Sequence, residues 1–147
     1  MRCLAREVRT SRHPYILAGD FNGTWAIEHK ETGAFIGMVG FSKPEGWPGF
    51  ELAWTLARRY WGHGYATEGA RAALDYAFTV LKRERVINLI YWENRASIRV
   101  AERLGERLQT RIDHYGREML CYGIDRETYV REVAQAVGGL ALAVLRG

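Results

Sequence analysis

The sequence contains few of the features that would place it outside a reducing compartment or across a membrane. Only two cysteines occur in 147 residues, Cys3 and Cys121, and their separation fits neither a C-x-x-C motif nor a metal site. A disulfide framework is therefore not expected, and a cytoplasmic location is the default expectation. No charged-then-apolar leader is predicted. The longest apolar stretch, near 134–145, is too short to span a bilayer and is interrupted by two glycines.

Several common cofactor signatures are also missing. The four histidines do not have the spacing of metal ligands, so no metal site is expected. A Walker loop needs Gly-Lys-Ser/Thr, which does not occur in the chain. A dinucleotide fingerprint needs G-x-G-x-x-G, and Thr67 stands where the third glycine would follow Gly62 and Gly64. Neither of these familiar nucleotide-binding motifs therefore fits the sequence.

The composition fits a soluble protein with one domain of ordinary size. Apolar residues make up 48% of the chain and charged residues 26%. The domain is expected at 1–124, with an abbreviated N-terminal part at 1–23, and a helical tail is expected at 125–147. The net charge of +4 leaves open an acidic partner, such as nucleic acid or a phosphorylated cofactor. Aromatic-and-basic RNA-binding motifs are absent.

A short loop with two glycines, between a strand and a helix, is the most informative part of the chain. The strand is predicted at 50–57 and the helix at 66–82, with Gly62 and Gly64 between them. Backbone N–H groups at a helix start lack internal partners, and the helix dipole adds partial positive charge there. Glycine has no Cβ to keep a phosphate away from this backbone. The pattern predicts a pyrophosphate-binding loop, and a strand–helix connection without a ligand is the alternative.

The rest of the chain predicts further strands and helices. Strands are expected at 24–30, 35–41 and 85–92, a hairpin at 107–112 and 117–124, a helix at 94–104 and a short helix within 2–9. Asn94 is the expected N-cap of the helix at 94–104, and Gly105 is its expected C-terminal stop. A helix between two strands indicates a crossover and hence a parallel pair.

Two segments resemble one known family. The spacing Arg59-x-x-Gly62-x-Gly64 is similar to the acyl-CoA loop of the GCN5-related N-acetyltransferase (GNAT) superfamily, and 61–68 resembles the branch that acetylates ribosomal-protein N-termini. The segment 94–105 resembles the family's Asn-x-x-Ser-x-x-Val-x-Glu-x-Leu-Gly pattern. The resemblance covers 24–124. It implies the GNAT fold, an α/β (α+β) class with a mixed, mostly antiparallel sheet and a central parallel pair, the first strand and helices being absent or shortened.

The resemblance also implies functional residues, with acetyl-CoA as co-substrate and no metal. Glu51 corresponds to the first residue of the family's Glu-Ile-Gly-Tyr-Trp-Leu strand and is implied as the catalytic base, while Ser97 is implied as a hydroxyl near the sulfur. The implied cofactor-binding residues are Trp54, Thr55, Leu56, Arg59, Trp61, Gly62, His63, Gly64, Tyr65, Ala66, Thr67 and Asn94.

Each of these assignments has a structural alternative. The alternatives are a solvated strand residue for Glu51, core packing for Trp54 and Leu56, a pure N-cap for Asn94 and a first-turn residue for Ser97. The chain also departs from the family pattern. Ala101 stands where many relatives carry a tyrosine acid, and Glu106 stands where an aromatic residue is common.

Together, these features predict a cytoplasmic N-acetyltransferase that transfers acetyl directly from acetyl-CoA to a primary amine, such as a protein N-terminus or a polyamine. The alternative is a catalytically impaired acyl-CoA-binding or interaction module of the same fold, because the tyrosine is absent and the N-terminal wall of the acceptor cleft is short. A nucleic-acid-associated protein is a third hypothesis, although neither direct nucleic-acid binding nor membrane contact is expected. A homodimer is also considered, since an incomplete sheet leaves an open edge.

Overall fold

The computed structural model describes residues 4–7, 24–29 and 31–133. The chain divides into two units, the first ending at Asp75 and the second beginning at Tyr76. This division falls within helix α1, Tyr65–Thr79. In the part of the chain that is described, no helix is long and apolar enough to cross a membrane.

The first unit contains four strands that pair antiparallel in chain order. They are β1 (Leu4–Glu7), β2 (Thr24–Glu28), β3 (Phe35–Ser42) and β4 (Glu51–Leu56). Val39 and Phe41 of β3 and Leu52 of β4 are buried, and Phe41 is paired with Leu52 in the register. Because directly paired residues point to the same side of a sheet, these side chains form one apolar face.

The start of helix α1 packs on this apolar face through small side chains. A Cβ added at Gly69 would lie 2.8 Å from the Cδ1 of Ile27 and 3.9 Å from the Cγ1 of Val39, so a glycine here lets the helix approach the sheet closely. Ala70 and Leu74 on the same helix are fully buried. The helix predicted at 66–82 is therefore present, but it ends at Thr79.

The second unit has a three-stranded antiparallel sheet and a helix. Its elements are β5 (Arg85–Tyr91), α2 (Arg95–Arg103), β6 (Arg107–His114) and β7 (Arg117–Asp125), and β7 lies between β5 and β6. Two short helical turns follow, Arg126–Thr128 and Tyr129–Val133. The predicted hairpin is confirmed. Gly105, with a φ of 87°, follows α2 as the predicted stop.

One local prediction is wrong. The short helix expected within 2–9 is a strand, since β1 pairs with β2 and places Leu4 opposite Glu28. The residues of β1 are mostly good helix formers, so pairing with a neighbouring strand has overridden local propensity. The first strand is therefore present, although only four residues long. Most of the abbreviated N-terminal part predicted at 1–23 and most of the tail predicted at 125–147 lie outside the described residues.

Candidate functional site

Strand β4 sorts its side chains onto two faces. Leu52 is fully buried and shares its face with Trp54 and Leu56, which are half-buried. Glu51 lies on the other face and is itself half-buried, while Ala53 and Thr55 on that face are exposed. Glu51 is therefore on the open side of the sheet. The core-packing alternative for Trp54 and Leu56 agrees with the face on which they lie.

The end of β4 is fixed by a glycine and a tryptophan. A Cβ at Gly37 in β3 would overlap the carbonyl oxygen of Thr55, so the two strands come this close only because position 37 is a glycine. The indole Nε1 of Trp61 donates a 2.9 Å hydrogen bond to the Leu56 carbonyl oxygen. The last residue of the strand is thus tied to the loop that follows it.

Two glycines in the loop after β4 adopt left-handed backbone conformations and adjoin open space. Gly62 and Gly64 have φ values of 77° and 81°, in the left-handed region that glycine tolerates. A Cβ at either position would meet no described protein atom within 4 Å. The ring of His63, between them, is exposed and stacks on Tyr65 with centroids 5.6 Å apart. Intramolecular packing therefore does not explain these two glycines.

The loop leads directly into the start of α1. The N–H of Glu68 donates to the Gly64 carbonyl at 3.0 Å, as the first bond of the helix. The N–H groups of Tyr65, Ala66 and Thr67 precede this bond and therefore have no helical acceptor. The Thr67 Oγ1 is buried and has no hydrogen-bond partner among the described residues. The N–H groups at this helix start are donors from which a phosphate oxygen would accept. The local chemistry thus fits the pyrophosphate of acetyl-CoA.

Two arginines lie against aromatic rings at the entry to the loop. They belong to a 3₁₀ turn, Arg58–Tyr60, that follows β4. The guanidinium carbon of Arg59 is 5.0 Å from the centroid of the Tyr60 ring, and that of Arg58 is 5.5 Å from the centroid of the Trp61 ring. Such cation–π contacts restrict flexible side chains without removing their charge. Arg59, a predicted ligand of the cofactor, therefore carries its charge beside the loop.

A tryptophan that was not predicted as a site residue contacts the predicted base. The indole Nε1 of Trp47 donates a 2.7 Å hydrogen bond to the Oε2 of Glu51. Trp47 lies in the connection between β3 and β4, where the sequence predicts neither a strand nor a helix. A tryptophan four residues before an acidic strand residue is the only signal, and it is weak because a loop has no fixed side-chain spacing.

The two remaining predicted site residues, Asn94 and Ser97, belong to the second unit. The Oδ1 of Asn94 accepts a 3.2 Å hydrogen bond from the N–H of Ser97, so Asn94 is the N-cap of α2 as predicted. Asn94 is exposed and Ser97 is half-buried. Ala101, on the same helix, is fully buried. Asn94 therefore caps α2, and capping leaves its side chain exposed.

The second unit also contains a buried carboxyl group that sequence reasoning did not assign a role. Glu106 is 3% exposed, and the Nδ2 of Asn88 on β5 lies 2.6 Å from both of its carboxyl oxygens. Burial raises the pKa of Glu106 to about 8, although the hydrogen bond from Asn88 acts in the opposite direction. Glu106, which stands where an aromatic residue is common in the family, thus forms a buried polar pair with Asn88.

The structure offers no metal-binding cluster in its described part. Within residues 4–7, 24–29 and 31–133, no group of three or more His, Cys, Asp or Glu side chains is arranged to hold a metal ion. Cys121 is buried in β7 and packs there as a small core residue.

Comparison with known families identifies the class of protein to which this geometry belongs. Residues 5–107 match the acetyltransferase (GNAT) domain family. Because this match covers more than half of the chain, the chain belongs to the GNAT acetyltransferase family. The family uses acetyl-CoA as co-substrate, in agreement with the open loop at the start of α1.

Individual relatives add detail. An uncharacterized protein of Bacillus subtilis (strain 168), YkkB, is 38% identical over 107 residues, which are 71% of this chain and 61% of that protein. The chain spans about half to three fifths of the length of the curated relatives it matches. The sequence similarity therefore covers only part of those relatives.

Solved structures confirm the predicted fold class. An acetyltransferase from Agrobacterium tumefaciens str. C58 is 35% identical with a TM-score of 0.63, over 69% of this chain and 60% of that chain. The ribosomal-protein-S5-alanine acetyltransferase from Vibrio fischeri is 16% identical with a TM-score of 0.65, over 73% of this chain and 63% of that one. The latter likeness shows the α+β GNAT fold alone.

Proposed function

We propose that the protein is an N-acetyltransferase that transfers the acetyl group of acetyl-CoA to a primary amine. The observation that carries the proposal is the loop before α1. Its two glycines have left-handed backbone conformations and open space in front of them, and the helix that follows begins with three N–H groups that have no helical acceptor. This combination suits a phosphate group better than it suits a plain strand–helix connection.

The donor is proposed to be held by the first unit through backbone groups and one cation. The N–H groups at the start of α1 and the glycine backbone bind the pyrophosphate, and the charge of Arg59 assists them. The backbone at 54–56 is proposed to line the pantetheine arm, with one N–H facing the carbonyl that gains charge during transfer. When bound, acetyl-CoA supplies the activated acetyl group as a thioester.

The acceptor amine has to lose a proton before it attacks, because α-amino groups titrate near pH ~8 and lysine side chains near ~10.4. Glu51 is the proposed general base, acting directly or through a water molecule. Support comes from its position on the open face of β4, half-buried beside exposed Ala53. Small side chains on this face leave room for a substrate next to the carboxylate.

The second unit is proposed to act on the thiol side of the reaction. By resemblance, Asn94 hydrogen-bonds the pantetheine arm and Ser97 provides a hydroxyl for the leaving sulfur. Both lie at the start of α2, and Asn94 is exposed while it caps the helix. The buried Ala101 supplies no hydroxyl at the position of the family's tyrosine, so Ser97 is the remaining candidate.

The direct test is acetyl transfer from acetyl-CoA to a panel of amines. The panel contains a peptide with a free α-amine, the same peptide with only a lysine amine, a polyamine and an aminoglycoside. Release of free thiol and mass spectrometry of the acceptor report the reaction. We expect acetylation of at least one amine above the rate without protein. Saturable binding of acetyl-CoA without acetylation of any acceptor would favour the alternative, a catalytically impaired acyl-CoA-binding module, which the missing tyrosine motivates.

The finer description of the substrate is also a proposal. Among the amines, we favour a protein N-terminus, because 61–68 resembles the branch that acetylates ribosomal-protein N-termini. The spermidine N-acetyltransferase SpeG from Vibrio cholerae shares the fold at 19% identity and a TM-score of 0.66, so the fold also accommodates polyamine substrates. A homodimer and a cytoplasmic location stay predictions of the sequence.

A further inference from the structure

The hydrogen bond between Trp47 and Glu51 joins a neutral donor to a carboxylate that the family resemblance implies as a base. The Nε1–Oε2 distance is 2.7 Å, and both side chains are partly buried. Hydrogen bonds to an ionised acceptor are shorter and stronger than neutral ones, and this length is typical of them. The indole therefore has both the chemistry and the distance to hold the carboxylate in one orientation.

The loop that carries Trp47 is restricted by its own sequence. The Trp47 N–H donates a 3.0 Å hydrogen bond to the Pro44 carbonyl and closes a four-residue turn, with Gly46 at a φ of 79° in its third position. Pro48 follows and favours an extended backbone at Trp47. Two prolines, a glycine and a turn hydrogen bond thus limit the positions that the Trp47 side chain is able to take.

The far end of the same loop is anchored in the core. Phe50 is 6% exposed, and its ring stacks on that of Phe41 with centroids 4.8 Å apart and an interplanar angle of 18°. Glu51 comes immediately after this anchor and pairs with Ser42 in the register of β3 and β4. Contacts other than this hydrogen bond therefore hold the backbone at both Trp47 and Glu51.

We propose that Trp47 is a positioning residue for Glu51 and sets the direction in which its carboxylate faces an acceptor amine. The inference rests on the proposed function, since it takes Glu51 as the base. A carboxylate fixed by its neighbours needs no reorganisation when the amine arrives, and a misplaced one loses much of its catalytic effect. Trp47 itself does not touch the reacting atoms in this account. Its effect on turnover passes entirely through Glu51.

The contact is tested without catalysis by the indole proton resonances in ¹⁵N–¹H spectra. The Trp47 resonance is expected downfield because its proton is bonded to a carboxylate. Glu51→Ala should move it upfield, and Glu51→Gln, which keeps the shape, should move it in the same direction by less. Trp61 bonds to a backbone carbonyl and serves as the internal reference. A Trp47 resonance that moves no more than that of Trp61 in either variant would overturn the proposal.

The positioning role is tested by a double-mutant cycle with Trp47→Phe and Glu51→Gln. Trp47→Phe should lower kcat for the amine about tenfold, the loss expected for one hydrogen bond to a charged group, with the KM for acetyl-CoA changed less than about twofold. In the Glu51→Gln background the same change should alter kcat by less than about twofold. Trp92→Phe, an exposed tryptophan directly after β5 in the second unit, is the control for loss of an indole.

The outcomes separate this inference from the proposed function. Equal effects of Trp47→Phe in both backgrounds of an active protein would overturn the positioning role and leave the proposed function intact. A wild-type protein that turns over no amine would overturn the proposed function and this inference together. A fall in thermal stability for Trp47→Phe with kcat unchanged would show that the indole serves the fold and not the base.

Discussion

Each end of strand β4 is tied to a tryptophan, but the two tryptophans bind different kinds of acceptor. At the start of the strand, Trp47 donates to the side-chain carboxylate of Glu51 at 2.7 Å. At the end, Trp61 donates to the backbone carbonyl of Leu56 at 2.9 Å. The first contact fixes a group with its own acid–base chemistry, whereas the second fixes only the path of the chain.

This difference separates two tasks along one strand of six residues. The end of β4 leads into the glycine loop, where Gly62 and Gly64 adjoin the open space in which the donor is proposed to bind. The start of β4 carries the one carboxylate of the strand, on the face with small side chains. Changes at the start should therefore affect turnover, and changes at the end should affect the affinity for acetyl-CoA.

The largest expected effect lies at the start of the strand. Glu51→Gln keeps the size of the side chain and removes the base, so kcat should fall about 1,000-fold, within the range that general-base catalysis contributes. Affinity for acetyl-CoA, measured by calorimetry, should change less than about twofold. A loss of cofactor affinity as large as the loss of kcat would show that the two ends of β4 do not have separate tasks.

Glu106 differs from Glu51 in its surroundings. Its carboxyl group is buried and hydrogen-bonded to the side-chain amide of Asn88, whereas Glu51 is half-buried. The folded-state pKa of Glu106, about 8, lies well above 4.5, the ordinary value of a glutamate side chain. A raised pKa stabilises the fold fully below pH 4.5, and this contribution is lost as pH rises through 8. The loss is on the order of 5 kcal/mol.

Glu106→Gln should remove this dependence. Relative to wild type, the variant should gain free energy of unfolding between pH 5 and pH 9, as measured by urea denaturation at both values. Groups such as Asp75, whose pKa burial raises to about 6, titrate in both proteins and cancel in the difference. Parallel pH profiles for the two proteins would contradict the buried state of Glu106.

At the end of the strand, Gly64→Trp should weaken acetyl-CoA binding about 100-fold or more. The indole would fill the open space before the helix start and displace at least two hydrogen bonds to a charged group. Gly33→Trp is the matched control, because Gly33 has a φ of 69° and the same open surroundings in the β2–β3 turn. Equal affinity in the two variants would place the phosphates elsewhere.

The smallest expected effect is that of Trp61→Phe. Loss of its hydrogen bond to the Leu56 carbonyl should raise the Kd for acetyl-CoA about fivefold, the effect of one neutral hydrogen bond. The kcat at saturating acetyl-CoA should change by less than about twofold, in contrast to Trp47→Phe. If the two variants alter kcat and Kd in the same proportion, the comparison between the ends of β4 fails.

The donor side was predictable from sequence because its signals are local. Gly62 and Gly64 have the left-handed φ that glycine permits, Asn94 caps the helix that its side chain suggests, and Gly105 ends it. Each of these features depends on residues that are close together in the sequence, so their spacing is enough to predict them.

Features that depend on pairing or packing were not predictable in the same way. The residues of β1 favour a helix locally, and only the pairing with β2 makes them a strand. The contact between Trp47 and Glu51 depends on the conformation of a loop, and the burial of Glu106 depends on Asn88, 18 residues away in sequence. Contacts of this kind cannot be predicted from the spacing of neighbouring residues.

Calorimetric titration of the wild-type protein with acetyl-CoA is the decisive measurement, since acetyl transfer requires that the donor bind at the glycine loop. We expect saturable one-to-one binding that persists in Gly33→Trp and is lost in Gly64→Trp. No detectable binding of acetyl-CoA at millimolar concentration would contradict the account.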